Sequence, residues 1–349
     1  MALALLSVTW LTSAYSVIKI ESILFSAANY LGFVSSKNWG ISVTQAVTKS
    51  SSGKGILYTL IAYVAWGVLP LYWKALKQVP ATEILAHRIL WSCVFVGGLI
   101  IWSRGLKDLR REISGGKDLL ATVLGSLLIS VNWLTYIWAV NNNQVIETSL
   151  GYYINPLFTV LLGMLVLRER IDRWQAISLL IGLAAVLIKT VTYGRVPWVA
   201  LGLTFSFGLY SLIKKFYKLS PINGLAMETL FVTPLALAYL TFKQVEGTGS
   251  FGTAGVETTL LLLLAGVVTA TPLLWFAQGA KLIPLSTVGF IQYLSPTIGL
   301  LLGIFVFKEP FTASDLVSFG LIWCAVALYS LSRKEFLDFI RLKSLSQSR

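Results

Sequence analysis

Charged side chains are scarce in this chain of 349 residues: Asp, Glu, Lys and Arg together make up 12%, about half the share of a typical soluble domain. A chain so poor in charge does not have water as its main solvent. Histidine occurs once, as His87, which argues against a metal site built from imidazoles. The two cysteines, Cys93 and Cys324, both lie in apolar runs. They offer no disulfide framework and read as packing residues. There is no G-x-x-x-x-G-K-S/T loop, H-E-x-x-H helix or G-x-S-x-G elbow, so neither ATP hydrolysis nor an intramembrane hydrolase finds support. No catalytic residue, metal or cofactor is expected, and the chain does not read as an enzyme.

What fills the space is hydrocarbon: 56% of residues are hydrophobic, and the mean hydropathy is +0.76. Apolar runs fall near residues 55–73, 84–102, 119–140, 148–167 and 174–192, then near 196–213, 222–242, 258–280, 282–307 and 316–332. Each approaches the roughly 20 residues that cross about 30 Å of lipid as a helix. Helices follow because lipid offers backbone groups no partners, and these runs lack the alternation of a barrel strand.

The net charge of +13 is compatible with nucleic acid, anionic lipid or topology signals, and its placement in short gaps between runs favours topology. If both termini share a side, that side carries 18 basic residues, among them Arg104, Arg110, Arg111, Arg170, Lys215, Lys218, Arg333 and Lys343. The other side carries six: Lys74, Lys77, Lys189, Arg195, Lys243 and Lys308. The bias puts both termini in the cytoplasm. No nucleic-acid partner is expected; the lipid bilayer and a small-molecule substrate are, and a homodimer is left open. Residues 1–53 hold 11 serines and a single acid, Glu21, and stay unassigned. A transit-like segment, an interfacial helix and a start codon placed too far upstream are all open.

A shift of 140 residues maps Tyr153, Pro156, Leu161, Leu162, Gly163, Val166 and Glu169 onto Tyr293, Pro296, Leu301, Leu302, Gly303, Val306 and Glu309. A shift of 141 maps Gly67, Lys74 and Pro80 onto Gly208, Lys215 and Pro221. A restricted membrane alphabet explains shared Leu and Val, but not shared Pro, Gly, Tyr and Glu. The chain therefore divides into two halves of five spans, and an odd number of spans inverts the second copy, as in many secondary transporters. The expected fold is all-α, with ten transmembrane helices in two inverted repeats at 54–193 and 194–335, flanked by the extension 1–53 and a basic cytoplasmic tail at 336–349.

Tyr152, Asn155, Thr159 and Gly163 share one helical face, and Gln292, Ser295, Gly299 and Gly303 repeat it. The glycine ends have the small-xxx-small spacing of helix contacts; the polar ends are read as lining a substrate pathway. Pro156 and Pro296 each free the carbonyl four residues back, at Tyr152 and Gln292, and are read as helix breaks or plain kinks. Asn132, Tyr136 and Gln278 join the pathway. Trp133, Trp138 and Trp275 lie beside them, and Trp138 and Trp275 are equally suited to the interfacial belt.

His87, Arg88 and Glu228 are ionisable residues inside spans and so candidates for gating or ion coupling. Arg88 could instead snorkel outward, as Lys189 is expected to do near a span end. The shift of 141 pairs His87 with Glu228 on opposite sides of the membrane. Glu228 is either a proton carrier or the partner of a cytoplasmic base such as Lys214 or Lys218.

The stretch Lys54 to Trp91, KGILYTLIAYVAWGVLPLYWKALKQVPATEILAHRILW, resembles the opening of the RarD group of the EamA family in the drug/metabolite transporter superfamily. GYYINPLFTVLLGMLVLRER, from Gly151 to Arg170, is similar to it too. The resemblance covers residues 54 to 335, and the P-x-x-E-I-L-A-H-R segment at Pro80 to Arg88 carries most of its specificity. It implies ten helices in two EamA-type halves, a bacterial inner membrane, and a central cavity lined largely by spans 1, 3, 4, 6, 8 and 9. The expected function is secondary transport of a small metabolite or drug-like compound by alternating access. A lipid-handling or signalling membrane protein without solute transport is the alternative.

Overall fold

The structure, a computed structural model, describes residues 40–332 except 104, 106, 108, 110, 111, 113–115, 167, 169–171, 195, 215–218, 284–287, 289 and 290. Outside the described residues lie Glu169 of the repeat, most of the 1–53 extension, the 336–349 tail, and the basic residues Arg104, Arg110, Arg111, Arg170, Arg195, Lys215, Lys218, Arg333, Lys334, Arg341 and Lys343. The chain forms two compact units, Met1–Lys54 and Gly55–Arg349. The described part of the first is helix from residue 40 onward; every contact given below lies within the second.

The described residues form helices α1 (Gly40–Ala75), α2 (Ala81–Trp102), α3 (Gly116–Asn141), α4 (Val145–Val166) and α5 (Arg173–Tyr193). After them come α6 (Trp198–Lys214), α7 (Pro221–Val245), α8 (Val256–Leu282), α9 (Leu294–Leu301) and α10 (Ala313–Ser332). A π-helical turn, Leu302–Val306, extends α9. Among the described residues, seven helices are long and apolar enough to cross a membrane; the segments Trp198–Lys214, Leu294–Val306 and Ala313–Tyr329 are apolar but shorter. Large apolar side chains face outward along them, such as Leu180, Val191 and Leu235, a surface that suits hydrocarbon and not water. This is an integral membrane protein.

Local signals set the ends. α5 starts at a capping box, in which Asp172 accepts the N–H groups of Trp174 and Gln175 at 2.7 and 2.9 Å while Gln175 accepts that of Asp172 at 3.1 Å. It stops at Gly194, whose φ of +67° is left-handed. α2 follows Pro80 and α7 opens on Pro221, a residue that suits a first turn because its missing N–H would have had no helical partner.

The ninth segment differs from the continuous span expected over 282–307. α8 ends at Leu282, Ile283 is extended, and the chain leaves the α-helix at Gln292 and Tyr293 before α9 begins. Pro296 cannot donate to the Gln292 carbonyl, which accounts for a helix start just beyond it. The break expected at Pro156 requires correction, because α4 runs through that proline as one helix. There α4 lies against α6: Thr204 donates to the Gly151 carbonyl at 2.9 Å, and a Cβ on Gly151 would stand 2.8 Å from the Ala200 oxygen.

Lipid is as apolar as leucine, so these helices are held by close packing and hydrogen bonds rather than by escape from water. α2 packs on α7 and α8, α3 on α6 and α7, α4 on α6 and α9, and α5 on α10. α1 meets α8 where a Cβ on Gly279 would stand 2.7 Å from the Thr59 nitrogen, and meets α9 where a Cβ on Gly67 would stand 2.8 Å from Ile298. One core joins Trp73, Ile84, Ile137, Leu203 and Leu262; a second joins Leu150, Tyr153, Leu300, Phe319 and Ile322.

Candidate substrate site

α2 carries Arg88 roughly two turns from its start, about 10 Å along the axis at 1.5 Å per residue. There the side chain is almost fully buried, at 6% exposure. Its guanidinium lies over the Trp133 ring of α3 at 4.0 Å and the Trp73 ring of α1 at 5.1 Å. Tyr136, Tyr152 and Tyr72 pack in the same core as Trp73. Each indole attracts the cation by about 0.5–2 kcal/mol, but a ring face accepts an N–H only weakly compared with an oxygen. Arg88 Nε and Trp73 Nε1 are both buried without a partner. The Tyr72 hydroxyl is engaged by the Leu261 carbonyl of α8, and the rings of Tyr136 and Tyr152 meet edge to face at 5.7 Å.

Three of the expected site residues, Arg88, Tyr136 and Tyr152, thus share one aromatic cluster. Arg88 does not snorkel. His87, its neighbour, points elsewhere: its ring stacks on Phe251 at 5.0 Å and its Nδ1 accepts from Trp91 at 3.3 Å. Its Nε2 is buried without a partner. Glu83, one turn earlier, holds the α7–α8 loop by accepting the Ser250 N–H at 2.6 Å and its hydroxyl at 3.0 Å.

The remaining expected residues are dispersed. Asn132 is buried and donates to the Leu203 carbonyl and the Ser206 hydroxyl, both at 3.0 Å, which ties α3 to α6. Glu228 pairs with Lys214 at 2.6 Å and accepts from the Tyr210 hydroxyl at 3.0 Å. Of its two proposed bases, Lys218 lies outside the described residues. Asn155, Gln292 and Ser295 are half-buried, with the Asn155 side-chain oxygen unpartnered, and Gln278 is exposed. The glycine ends meet α4: a Cβ on Gly299 would stand 2.9 Å from the Ser149 hydroxyl, and one on Gly303 would stand 2.7 Å from Ile146.

Sequence reasoning missed several polar anchors. Lys189 was expected to snorkel, yet it is buried and paired with Asp315 of α10. Asp315 in turn accepts the Thr312 N–H at 2.9 Å. Glu309 accepts the N–H groups of Val145 and Ile146 at 2.8 and 2.9 Å, and so caps α4, while Glu147 accepts from Val199 of α6 at 3.0 Å. The repeat had marked Glu309, but its partner lies 164 residues away. These groups line a cavity at the start of α4 with Asn143, Gln144 and Phe319. Among the described residues no three His, Cys, Asp or Glu side chains gather as a metal site.

The EamA-like transporter family model matches the chain twice, over residues 53–191 and 196–331. The uncharacterized transporter YojE of Bacillus subtilis is 49% identical over 287 residues, covering 80% of this chain and 94% of its own. Protein RarD of Escherichia coli is 39% identical, covering 79% and 93%. A protein of Pseudomonas aeruginosa named chloramphenicol-sensitive protein RarD is 30% identical, again covering 79% and 93%. A solved crystal structure matches the fold at a TM-score of 0.52 and 19% identity, covering 79% of this chain and 97% of its own. This chain belongs to the EamA-like transporter family, in its RarD group.

Proposed function

We propose that the chain is a secondary transporter of a small metabolite or drug-like compound, working by alternating access between two inverted five-helix repeats in a cell membrane, with both termini cytoplasmic. The observation that carries this reading is the exchange of packing partners. Under a shift of five helices α2–α7, α4–α9 and α5–α10 map onto themselves. The same shift exchanges α2–α8 with α3–α7, α3–α6 with α1–α8, and α4–α6 with α1–α9. A two-fold relation between halves has this signature. Five crossings per half reverse its direction, so the axis lies in the membrane plane, where rocking of one half on the other exposes a site to each side in turn.

The substrate pathway in this reading runs along α3, α4, α8 and α9, past Asn132, Tyr136, Tyr152, Asn155, Gln278, Gln292 and Ser295. His87 and Arg88 serve the outer gate and Glu228 the inner one. The test is flux in liposomes containing the purified protein, using labelled metabolites and chloramphenicol with and without an imposed proton gradient. At least one compound should exchange across the membrane and accumulate under the gradient. Lipid scrambling without exchange of any solute would favour the lipid-handling alternative and overturn the proposal.

A further inference from the structure

We infer that Arg88, with the Trp73 and Trp133 rings, binds the carboxylate of a small organic anion. The inference rests on the transport reading and names the substrate class of that transporter.

The cluster is a full positive charge at 6% exposure beside two buried N–H donors, Arg88 Nε and Trp73 Nε1, that have no acceptor. The four buried carboxylates among the described residues are all engaged elsewhere. Glu83 holds Ser250, Glu309 caps α4, Asp315 pairs with Lys189 and Glu228 with Lys214. What would complete the site must bring both acceptor oxygens and negative charge. The guanidinium fork matches a planar carboxylate with two parallel hydrogen bonds. Tyr136 and Tyr152 pack in the same core as Trp73, and their phenols are donors suited to an oxyanion. One guanidinium neutralises the single charge of a carboxylate but not the nearly two charges of a phosphate monoester.

The test uses the full chain in phosphatidylcholine vesicles, with tryptophan fluorescence and thermal unfolding as readouts and benzoate, its neutral isostere benzamide, and phenyl phosphate as probes. Benzoate should quench saturably and raise the melting temperature, and benzamide should do neither. Arg88→Gln should weaken benzoate binding by about tenfold or more, Arg88→Lys by less, and Trp73→Phe by a few-fold, because it keeps a ring and removes one donor. Equal responses to benzoate and benzamide, or undiminished binding in Arg88→Gln and Trp73→Phe, overturn the site. So does a preference for phenyl phosphate, or displacement of benzoate by phosphatidylglycerol, which would assign the cation to phosphate or lipid. The wild-type comparison and Trp73→Phe remain decisive if the Arg88 variants do not fold. Carboxylate binding without flux would remove the transport reading and leave the site; flux of neutral solutes without carboxylate binding would do the reverse.

Discussion

Lys189 of α5 and Asp315 of α10 form an ion pair buried between their helices, at 7% and 3% exposure. Asp315 also holds Thr312 through its second oxygen, so the carboxylate both starts α10 and ties it to α5. Removing one partner strands the other charge away from water, which costs about 3–5 kcal/mol in buried pairs. Asp315→Asn should therefore lower the unfolding temperature in detergent sharply. The double variant Lys189→Met with Asp315→Leu should recover a large part of the loss, because no charge is then stranded. A double variant no more stable than Asp315→Asn would show that the hydrogen bonds to Thr312, not the charge, dominate.

α2 and α8 approach closely at Gly266, where a Cβ would run into the backbone of Trp91 and Ser92. Backbone cannot rotate aside as a side chain can. Gly266→Ala should part the two helices and destabilise by about 1–3 kcal/mol, as overpacking does. The control is Gly97, also helical, where a Cβ meets nothing within 4 Å. Gly97→Ala should be neutral or stabilising by up to about 1 kcal/mol. Equal melting temperatures for the two variants would contradict the close approach.

The helices were legible because lipid forbids unpaired backbone, so length and hydropathy alone mark them. The α2 start after Pro80 lies three residues before the apolar run read over 84–102, and proline chemistry accounts for it. Tertiary partners were mostly not legible; Lys214, offered as one of two bases for Glu228, is the exception. Proline chemistry treats Pro156 and Pro296 alike, yet the chain breaks only before the second, since the neighbouring helices decide whether a freed carbonyl is tolerated. Asn132 was read as a pathway residue because its depth demanded a partner, and nothing in the local sequence points to α6 as the supplier. Lys189 read as a snorkelling residue because Asp315 lies 126 positions away. Arg88 was visible as an ionisable residue in a span, whereas Trp73, its ring partner, drew no notice in a chain with 12 tryptophans.

The proposed orientation places the α7–α8 loop outside and the start of α5 in the cytoplasm. Thr248 and Arg173 are exposed at those two ends, and Cys93 and Cys324 are the only native thiols to replace. On a cysteine-free background, Thr248→Cys should react with a membrane-impermeant maleimide in intact spheroplasts. Arg173→Cys should react only after permeabilisation. The reverse pattern would place both termini outside.

Glu228 discriminates between two roles. Its carboxylate is buried at 3% exposure, paired with Lys214 at 2.6 Å and bonded by Tyr210 at 3.0 Å. Both partners belong to α6, so the contact joins α6 to α7. A proton carrier must gain and lose its proton on each cycle, whereas a carboxylate that only ties two helices together needs to do neither. The Lys214 side chain is 30% exposed, so losing its partner leaves an ammonium that reaches water rather than a stranded buried charge. Glu228→Gln keeps a side-chain acceptor for Tyr210 and removes only the charge. The expected cost is therefore small, about 1 kcal/mol of stability, as for partly exposed pairs. Gradient-driven uptake in liposomes should be slowed by loss of the Lys214 contact at the inner gate yet stay coupled to the gradient, because an ion pair that ties α6 to α7 carries no proton. Uptake lost under a proton gradient, with substrate exchange retained, would instead make Glu228 the carrier and the Lys214 pair one state of its cycle.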